Sequence, residues 1–582
     1  DPQGLLALHR DGGSGGAAAA LQSLVEGQLS KAAASTGTYD LASGTASDTI
    51  AVFVRHALED RLGPRLEIAL EKPVASPEVR ASFELQAIYG RRVETGARVV
   101  LVGIDAGDWD VIDPLIAAGR LPNLARLKRE GAWARMRSNS PMLSPMLWTS
   151  VATGKTPDRH GINDFLVADP RTGRTVPINS TFRRTKAIWN ILSEAGLSSD
   201  TIAWWATWPA ESVQGHLISD RVAYSTFDLK APKQNQGAVF PPEYASAVDS
   251  LRVPDDAVTF QQVARFLHIT PDEFKRARAA AARPGEPAER DESINVMVRV
   301  LGATETYRRI ALDLLDREAK ERAPARLFAV YFEGVDEVNH RFAHCSPPRD
   351  PLCAEPDYRS FKDAVAAFYA YQDAVLGDIL GRVAGATVLV MSDHGFASGA
   401  DRPRDFKPFI QGRPGLWHAL FGIFIMQGPL AKRGQVPPVT LYDIAPTILY
   451  LLGLPVPEDM PGKVLEPVLA DDFVAAHPIV RVPSYEGLEG ARSPVATASA
   501  ASGAAGPATG DEATEREMIA QLKALGYLGG QESGTAGRAT APRHAGEPSA
   551  RPPPASPPGA TGGSAGARNV GDGPARGTPG QG

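Results

Sequence analysis

The side chains best suited to chemistry in this 582-residue sequence are aspartates and histidines that follow apolar runs, and one serine that precedes an apolar run. Asp105 closes Arg98-Val99-Val100-Leu101-Val102-Gly103-Ile104. Asp336 and His340 follow Arg326–Phe332 and stand four apart, which puts them on one face if the turn is helical. Ser392-Asp393-His394-Gly395 follows the apolar run 386–391, and His418 closes Pro414-Gly415-Leu416-Trp417. Each has a plainer reading by itself. Asp105 and Asp336 could cap the next helix, Asp393-His394-Gly395 could be a turn, and His340 and His418 could be surface residues. Taken together they mix carboxylate and imidazole in a way that suits zinc or a similar borderline divalent ion, and their number is enough for two ions.

Ser144 supplies a nucleophile to such a site. In Ser144-Pro145-Met146-Leu147-Trp148-Thr149-Ser150-Val151-Ala152-Thr153-Gly154 the serine stands where a helix N-cap should, with Pro145 at the first helical position and Gly154 as the stop. A hydroxyl there lies beside unpaired N–H groups and the positive end of the helix dipole, which favours a phosphate. The plain alternative is a serine that only caps. With two ions about 4 Å apart to clamp the attacking and leaving oxygens, the chemistry is phosphoryl transfer. Ser144 would attack phosphorus to give a covalent phospho-enzyme, its oxygen counted among the metal ligands.

The elements that must position these residues follow from the same runs. Apolar stretches at 98–104, 199–205, 326–332 and 386–391 read as strands buried on both faces, and they alternate with helical sequence around 121–127, 185–195 and 294–321. That alternation predicts a mainly parallel α/β sheet, whose sites form at the carboxyl ends of the strands. A late helix is expected at 441–452. Residues 155–162 read as a loop. Residues 225–290, rich in prolines and charges, break the rhythm and read as a cap insertion. The catalytic domain is thus expected over 97–480. Residues 1–96 form an accessory segment, with helical pieces at 20–34 and 49–61. A low-complexity tail runs over 481–582, with a short helix near 513–525 and expected disorder after 529.

Composition bounds the function classes. Apolar content of 43% and charged content of 22% fit a globular protein. A net charge of -6, with scattered Lys and Arg, gives no reason to expect a nucleic-acid partner. No run of about 18 apolar residues is present to span a membrane. The first residue is Asp, so a processed or truncated start is expected and a leader would be out of view. Two cysteines, Cys345 and Cys353, permit either a small disulfide, which would favour an extracytoplasmic location, or two free thiols.

From about Arg98 to Val468 the chain resembles the alkaline phosphatase superfamily, in the branch of type I phosphodiesterases and nucleotide pyrophosphatases and their bacterial phosphohydrolase and phosphomutase relatives. The resemblance is carried by Gly103-Ile104-Asp105, by Ser144 with Thr149-Ser150-Val151-Ala152-Thr153-Gly154, and by Pro157-Asp158-Arg159-His160-Gly161-Ile162. Asp336 with His340, Ser392-Asp393-His394-Gly395 and Gly415-Leu416-Trp417-His418 complete it, all in the family's order. It implies an alkaline-phosphatase-like sheet, a small phosphate-ester substrate and two divalent metal ions, zinc or alternatively manganese. One ion would be held by Asp336, His340 and His418, the other by Asp105, Asp393, His394 and the Ser144 oxygen. His160 belongs to the resemblance as a structural residue, and His344 is a bystander. The pyrophosphatases present Thr-Phe-Pro-Asn where this chain has Ser144-Pro145-Met146-Leu147, so a phosphate oxygen would have to be met by the Met146 N–H or by Lys155. The x-Pro-x-Arg sequence of sulfatases is absent after Ser144, which argues against that activity.

The resulting expectation is a metal-dependent hydrolase of phosphomonoesters or phosphodiesters working through phospho-Ser144. Two alternatives stand beside it. One is a phosphotransferase or mutase on the same site, its acceptor pocket within 225–290. The other is a silent binding protein that keeps the fold, against which the complete set of seven residues argues.

Overall fold

The computed structural model describes residues 91–170, 172–223, 237–281, 283, 287–409 and 414–486, together with 515, 516 and 519. One ten-stranded sheet organises them. Its strands are β1 (Val99–Ile104), β2 (Ala132–Arg137), β3 (Ser199–Ile202), β4 (Gly215–Ile218) and β5 (Val239–Phe240), then β6 (Leu327–Phe332), β7 (Thr387–Met391), β8 (Phe421–Gln427), β9 (Gly434–Gln435) and β10 (Val439–Thr440). The order is β9-β2-β8-β7-β1-β6-β3-β4-β5, with β10 also on β2. The five central strands, β7, β1, β6, β3 and β4, run parallel, whereas β8 is antiparallel to both β7 and β2. Every residue of β1, β6 and β7 is buried, as sequence without polar alternation requires of strands covered on both faces.

The helices that matter to the site are α1 (Trp109–Ala117), α2 (Pro122–Glu130), α3 (Ser144–Thr153), α4 (Glu289–Glu321), α5 (Gly334–Phe342) and α6 (Ala364–Leu380). α4 packs on α5, α5 on α6, and α6 on α2, so α5 is held from two sides. Of the expected insertion, 237–281 contributes the edge strand β5, and the helix Pro271–Ala281 packs against α4.

Three sequence expectations are corrected. Ser144 is the first residue of α3 and not its cap. Leu143 takes the cap position because the Leu147 N–H closes the first helical turn on the Leu143 carbonyl. Gly154 does end the helix, at φ 65°. Residues 157–160 form a helical turn within the expected loop, its C-terminal Gly161 at φ 83°. Lys155 is buried in an ion pair with Asp459. It follows the far end of a helix roughly 15 Å long at 1.5 Å per residue, so it does not face the site beside Ser144.

Cys345 and Cys353 are joined in a disulfide just beyond α5. The segment before β1 docks through Val93 N–H on the Gly453 carbonyl, 2.8 Å, and Thr95 Oγ1 on the Leu451 carbonyl, 2.7 Å. The helical pieces expected at 20–34 and 49–61 lie outside the described residues. Of that near 513–525 only Glu515, Arg516 and Ile519 are described, and Glu515 pairs with Arg174 at 3.0 Å. No helix among the described residues is long and apolar enough to cross a membrane.

Candidate active site

Asp105 sits one residue past β1, Asp336 and His340 lie on α5 just past β6, and Asp393 and His394 follow β7. Because β6 and β7 flank β1 in register, these carboxyl ends are neighbours. His418 arrives from the other side. It belongs to a two-stranded ribbon in which Phe396 pairs with His418 and Gly395 with Ala419. Residues far apart along the chain therefore meet in one buried centre.

Two overlapping groups of ligand atoms result, Asp105 with Asp393 and His394, and Asp336 with His394 and His418. His394 Nε2 lies 3.3 Å from Asp105 Oδ1 and 3.5 Å from Asp393 Oδ2. His340 Nε2 is 3.3 Å from Asp336 Oδ2, His418 Nε2 is 3.7 Å from Asp336 Oδ1, and the two Nε2 atoms are 2.9 Å apart. The His394 and His418 rings stack with centroids 3.8 Å apart.

The ring orientations are set from behind. His340 Nδ1 faces the Pro408 carbonyl at 3.2 Å, His418 Nδ1 the Met142 carbonyl at 2.9 Å, and His394 Nδ1 the Gly395 carbonyl at 3.0 Å. A carbonyl only accepts, so each Nδ1 must carry the hydrogen, and in the neutral ring each Nε2 offers its lone pair to the centre. Second contacts of this kind orient metal-ligating histidines.

Ser144 is buried at the start of α3, and its neighbours touch both groups. Met142, two residues before it, accepts from His418. Trp148, one turn after it, donates its indole N–H to Asp105 Oδ2 at 3.0 Å. The structure thus assembles Asp105, Asp336, His340, Asp393, His394 and His418, and sets the Ser144 helix against them.

The electrostatics describe a centre short of positive charge. Burial, and then the charge of Asp336, pushes the Asp105 carboxyl above its ordinary range. Burial and then Asp105 push Asp393 well above it. Burial acts on Asp336 too, but His340 and His418 outweigh it and hold that carboxyl low. Burial disfavours charge on His340, yet Asp336 prevails and raises it, while burial and then His394 push His418 well below its usual value. Asp105 Oδ1, both Asp393 oxygens and His394 Nε2 are buried without a hydrogen-bonding partner. Neither Asp105 nor Asp393 forms an ion pair with Lys or Arg among the described residues. Acceptor atoms left bare in a dry pocket are costly unless a cation occupies it. The residues present therefore fit divalent metal.

Two histidines stand apart from the centre. His160 accepts the Ile162 N–H on Nδ1 at 3.2 Å and meets Ser150 Oγ at 3.0 Å, and burial followed by the charge of Arg183 pushes it down to about 3. It ties 160–162 to α3. His344 lies beside Cys345 and Cys353, whose sulfurs are bonded to one another, so that trio offers no thiolate to a metal.

Sequence reasoning missed the supports. Tyr331 OH donates to Asp105 Oδ2 at 2.5 Å. Asp108 caps α1 through the Asp110 N–H, 2.8 Å, and reaches the Phe396 N–H at 3.0 Å, fixing the ribbon that carries His418. A Cβ on Gly395 would sit 2.3 Å from Asp108 Oδ2, so only glycine admits that contact. Ser392 Oγ receives the Gly107 N–H at 2.8 Å and donates to the His394 carbonyl at 2.5 Å. The one available signal was chemical: a Tyr and a Trp inside otherwise apolar segments must find partners for their O–H and N–H.

The profile of the type I phosphodiesterase / nucleotide pyrophosphatase family matches residues 99–412, more than half of the chain. No curated protein matches it. Among solved structures, wild-type alkaline phosphatase PafA is similar at 12% identity, with 64% of this chain and 98% of that one covered and a TM-score of 0.43. Murine ectonucleotide pyrophosphatase / phosphodiesterase 5, in complex with AMP, is similar at 12% identity over 64% of this chain and 100% of that one, TM-score 0.35. Phosphonoacetate hydrolase from Sinorhizobium meliloti 1021, in complex with phosphonoformate, is similar at 18% identity over 52% and 58%, TM-score 0.29.

Proposed function

Since this chain belongs to the type I phosphodiesterase / nucleotide pyrophosphatase family and is a hydrolase of phosphate esters, we propose that it cleaves a small phosphomonoester or phosphodiester through a phosphoserine on Ser144. Two divalent ions, zinc or alternatively manganese, would be held by Asp336, His340 and His418 and by Asp105, Asp393, His394 and the Ser144 oxygen. The observation that carries this reading is the convergence of three Nε2 lone pairs, each set by an Nδ1–H given to a carbonyl, on three buried carboxylates. Mixed imidazole and carboxylate donors are the set that zinc takes, and carboxylates also suit manganese.

When bound, such ions lower the pKa of a hydroxyl nucleophile and offset charge on the phosphoryl oxygens. The chain's own residues do the rest. Ser144 Oγ gives up its proton to solvent and forms the new bond to phosphorus, and the ester oxygen departs with the electron pair of the bond that breaks and takes a proton from solvent. Water then cleaves the phosphoserine and returns the hydroxyl. The Met146 N–H, in the first turn of α3, would donate to a phosphoryl oxygen, since helix N-termini leave such groups unpaired. Lys155, engaged by Asp459, has no part in it.

The test is turnover of nitrophenyl monoester and diester substrates by chelator-stripped protein before and after zinc or manganese is returned. Release of nitrophenol from at least one ester class, only after metal is returned, is the expected result. Reconstituted protein that turns over neither class would overturn the reading.

A further inference from the structure

The Asp105 carboxylate is held asymmetrically. Oδ2 receives two hydrogen bonds, from Tyr331 OH at 2.5 Å and from Trp148 Nε1 at 3.0 Å, whereas Oδ1 receives none and faces His394 Nε2. Both donors are fixed in turn. Trp205 Nε1 donates to Tyr331 OH at 3.0 Å, which leaves the phenol hydrogen to point at Asp105. Trp204 Nε1 donates to the Trp148 carbonyl at 2.9 Å. The rings brace one another edge-on, Trp148 with Trp204 at 5.2 Å and with Tyr331 at 4.9 Å between centroids. All four are buried, so water cannot substitute for a lost donor. Gly103 makes the approach possible, because a Cβ there would lie 2.7 Å from the Trp148 ring.

Trp148 also stands four residues after Ser144, one turn along the same helix and on the same face. We infer that Trp148 and Tyr331 are positioning residues: together they commit Asp105 Oδ2, so that only Oδ1 is presented to an ion, and Trp148 alone ties the nucleophile's helix to that ligand. This rests on the two-ion reading above and extends it to the residues behind the ligand. The two donors then have separable effects. Loss of either loosens the carboxylate and weakens metal binding. Loss of the indole N–H also frees the Ser144 helix to shift, and that defect persists when metal is saturating.

The experiment uses full-length wild type, Trp148→Phe and Tyr331→Phe, stripped and titrated with zinc against a chromophoric chelator, with melting of the metal-free proteins as a control for folding. In each variant one zinc dissociation constant should rise about 10- to 100-fold, the usual effect of removing a partner of a metal ligand. At saturating zinc, Trp148→Phe should keep a kcat deficit of about 10-fold or more with KM little changed, whereas Tyr331→Phe recovers to within about 3-fold of wild type. Dissociation constants unchanged in both variants, with only the melting temperature lowered, would make these residues mere packing and overturn the inference. If Trp148→Phe fails to fold, an unchanged zinc constant in Tyr331→Phe overturns it just as well. Wild-type protein that takes up no zinc would instead remove the two-ion reading itself, a distinguishable outcome.

Discussion

His340 and His418 direct their Nε2 atoms at one another across 2.9 Å while each gives its Nδ1 hydrogen to a backbone carbonyl. Two neutral imidazoles so oriented would oppose their lone pairs, so something positive must lie between or beside them. A proton on His340 would do this, and Asp336 favours one by raising that imidazole above its ordinary value. A metal ion does it better, and binding it releases the proton.

If Ser144 is the nucleophile, Ser144→Ala should retain both ions and lose turnover by at least about a thousandfold, the scale on which removal of a nucleophile is felt. Acid quench of wild type during turnover of a labelled phosphomonoester should trap phosphate on Ser144. Turnover of the variant close to that of wild type would exclude the covalent route.

Asp393 has both carboxylate oxygens bare and sits against Asp105. Without metal, Asp393 must either hold a charge in a dry pocket or bind a proton there, and the isosteric Asp393→Asn does neither while its amide can donate to Asp105. The metal-free variant should therefore be more stable than metal-free wild type at pH 8, by roughly 1–3 kcal/mol. It should gain less than wild type when zinc is added, since only the ion held by Asp336, His340 and His418 keeps its ligands, and it should show no turnover. Denaturant unfolding with and without zinc reads both effects. A metal-free variant less stable than wild type would contradict the charge argument.

Asp108 offers a pH test away from the ligands. Burial pushes its carboxyl up to about 6, against the hydrogen bonds from Asp110 and Phe396. A carboxyl raised in the folded state binds its proton more tightly there than in the unfolded chain. Its contribution to stability is therefore present below about pH 4, the unfolded value, and is lost as pH rises through about 6. The loss is at most about 3 kcal/mol, because the carboxyl titrates about two pH units higher in the folded chain and each is worth about 1.4 kcal/mol. Metal-free Asp108→Asn should lack this part of the decline between pH 4 and 7. Parallel stability profiles for variant and wild type would count against it.

The meeting of Asp105, Asp336, His340, Asp393 and His394 was legible because they follow runs that read as buried strands and because Asp336 and His340 have helical spacing, whereas His418 follows no such run. Ser144 was legible as to place but not as to helix position, since Leu143 claims the cap through a bond to Leu147 that no local preference announces. The partner of Lys155 is Asp459, some three hundred residues away, and local sequence cannot show such a pairing. β8 was invisible as an antiparallel insert, because one of its two neighbours, β2, comes from a distant part of the chain. Trp148 and Tyr331 read as core, and they are core. Their second role appears only once Asp105 is seen to receive both.

The central claim is that six side chains and a serine surround two ions, and the direct measurement is metal content per chain. Protein purified without chelator and exchanged into metal-free buffer, then examined by plasma mass spectrometry, should carry close to two equivalents of zinc or manganese, falling to about one in His418→Ala. Wild-type protein with a small fraction of an equivalent, and no uptake on titration, would contradict the account.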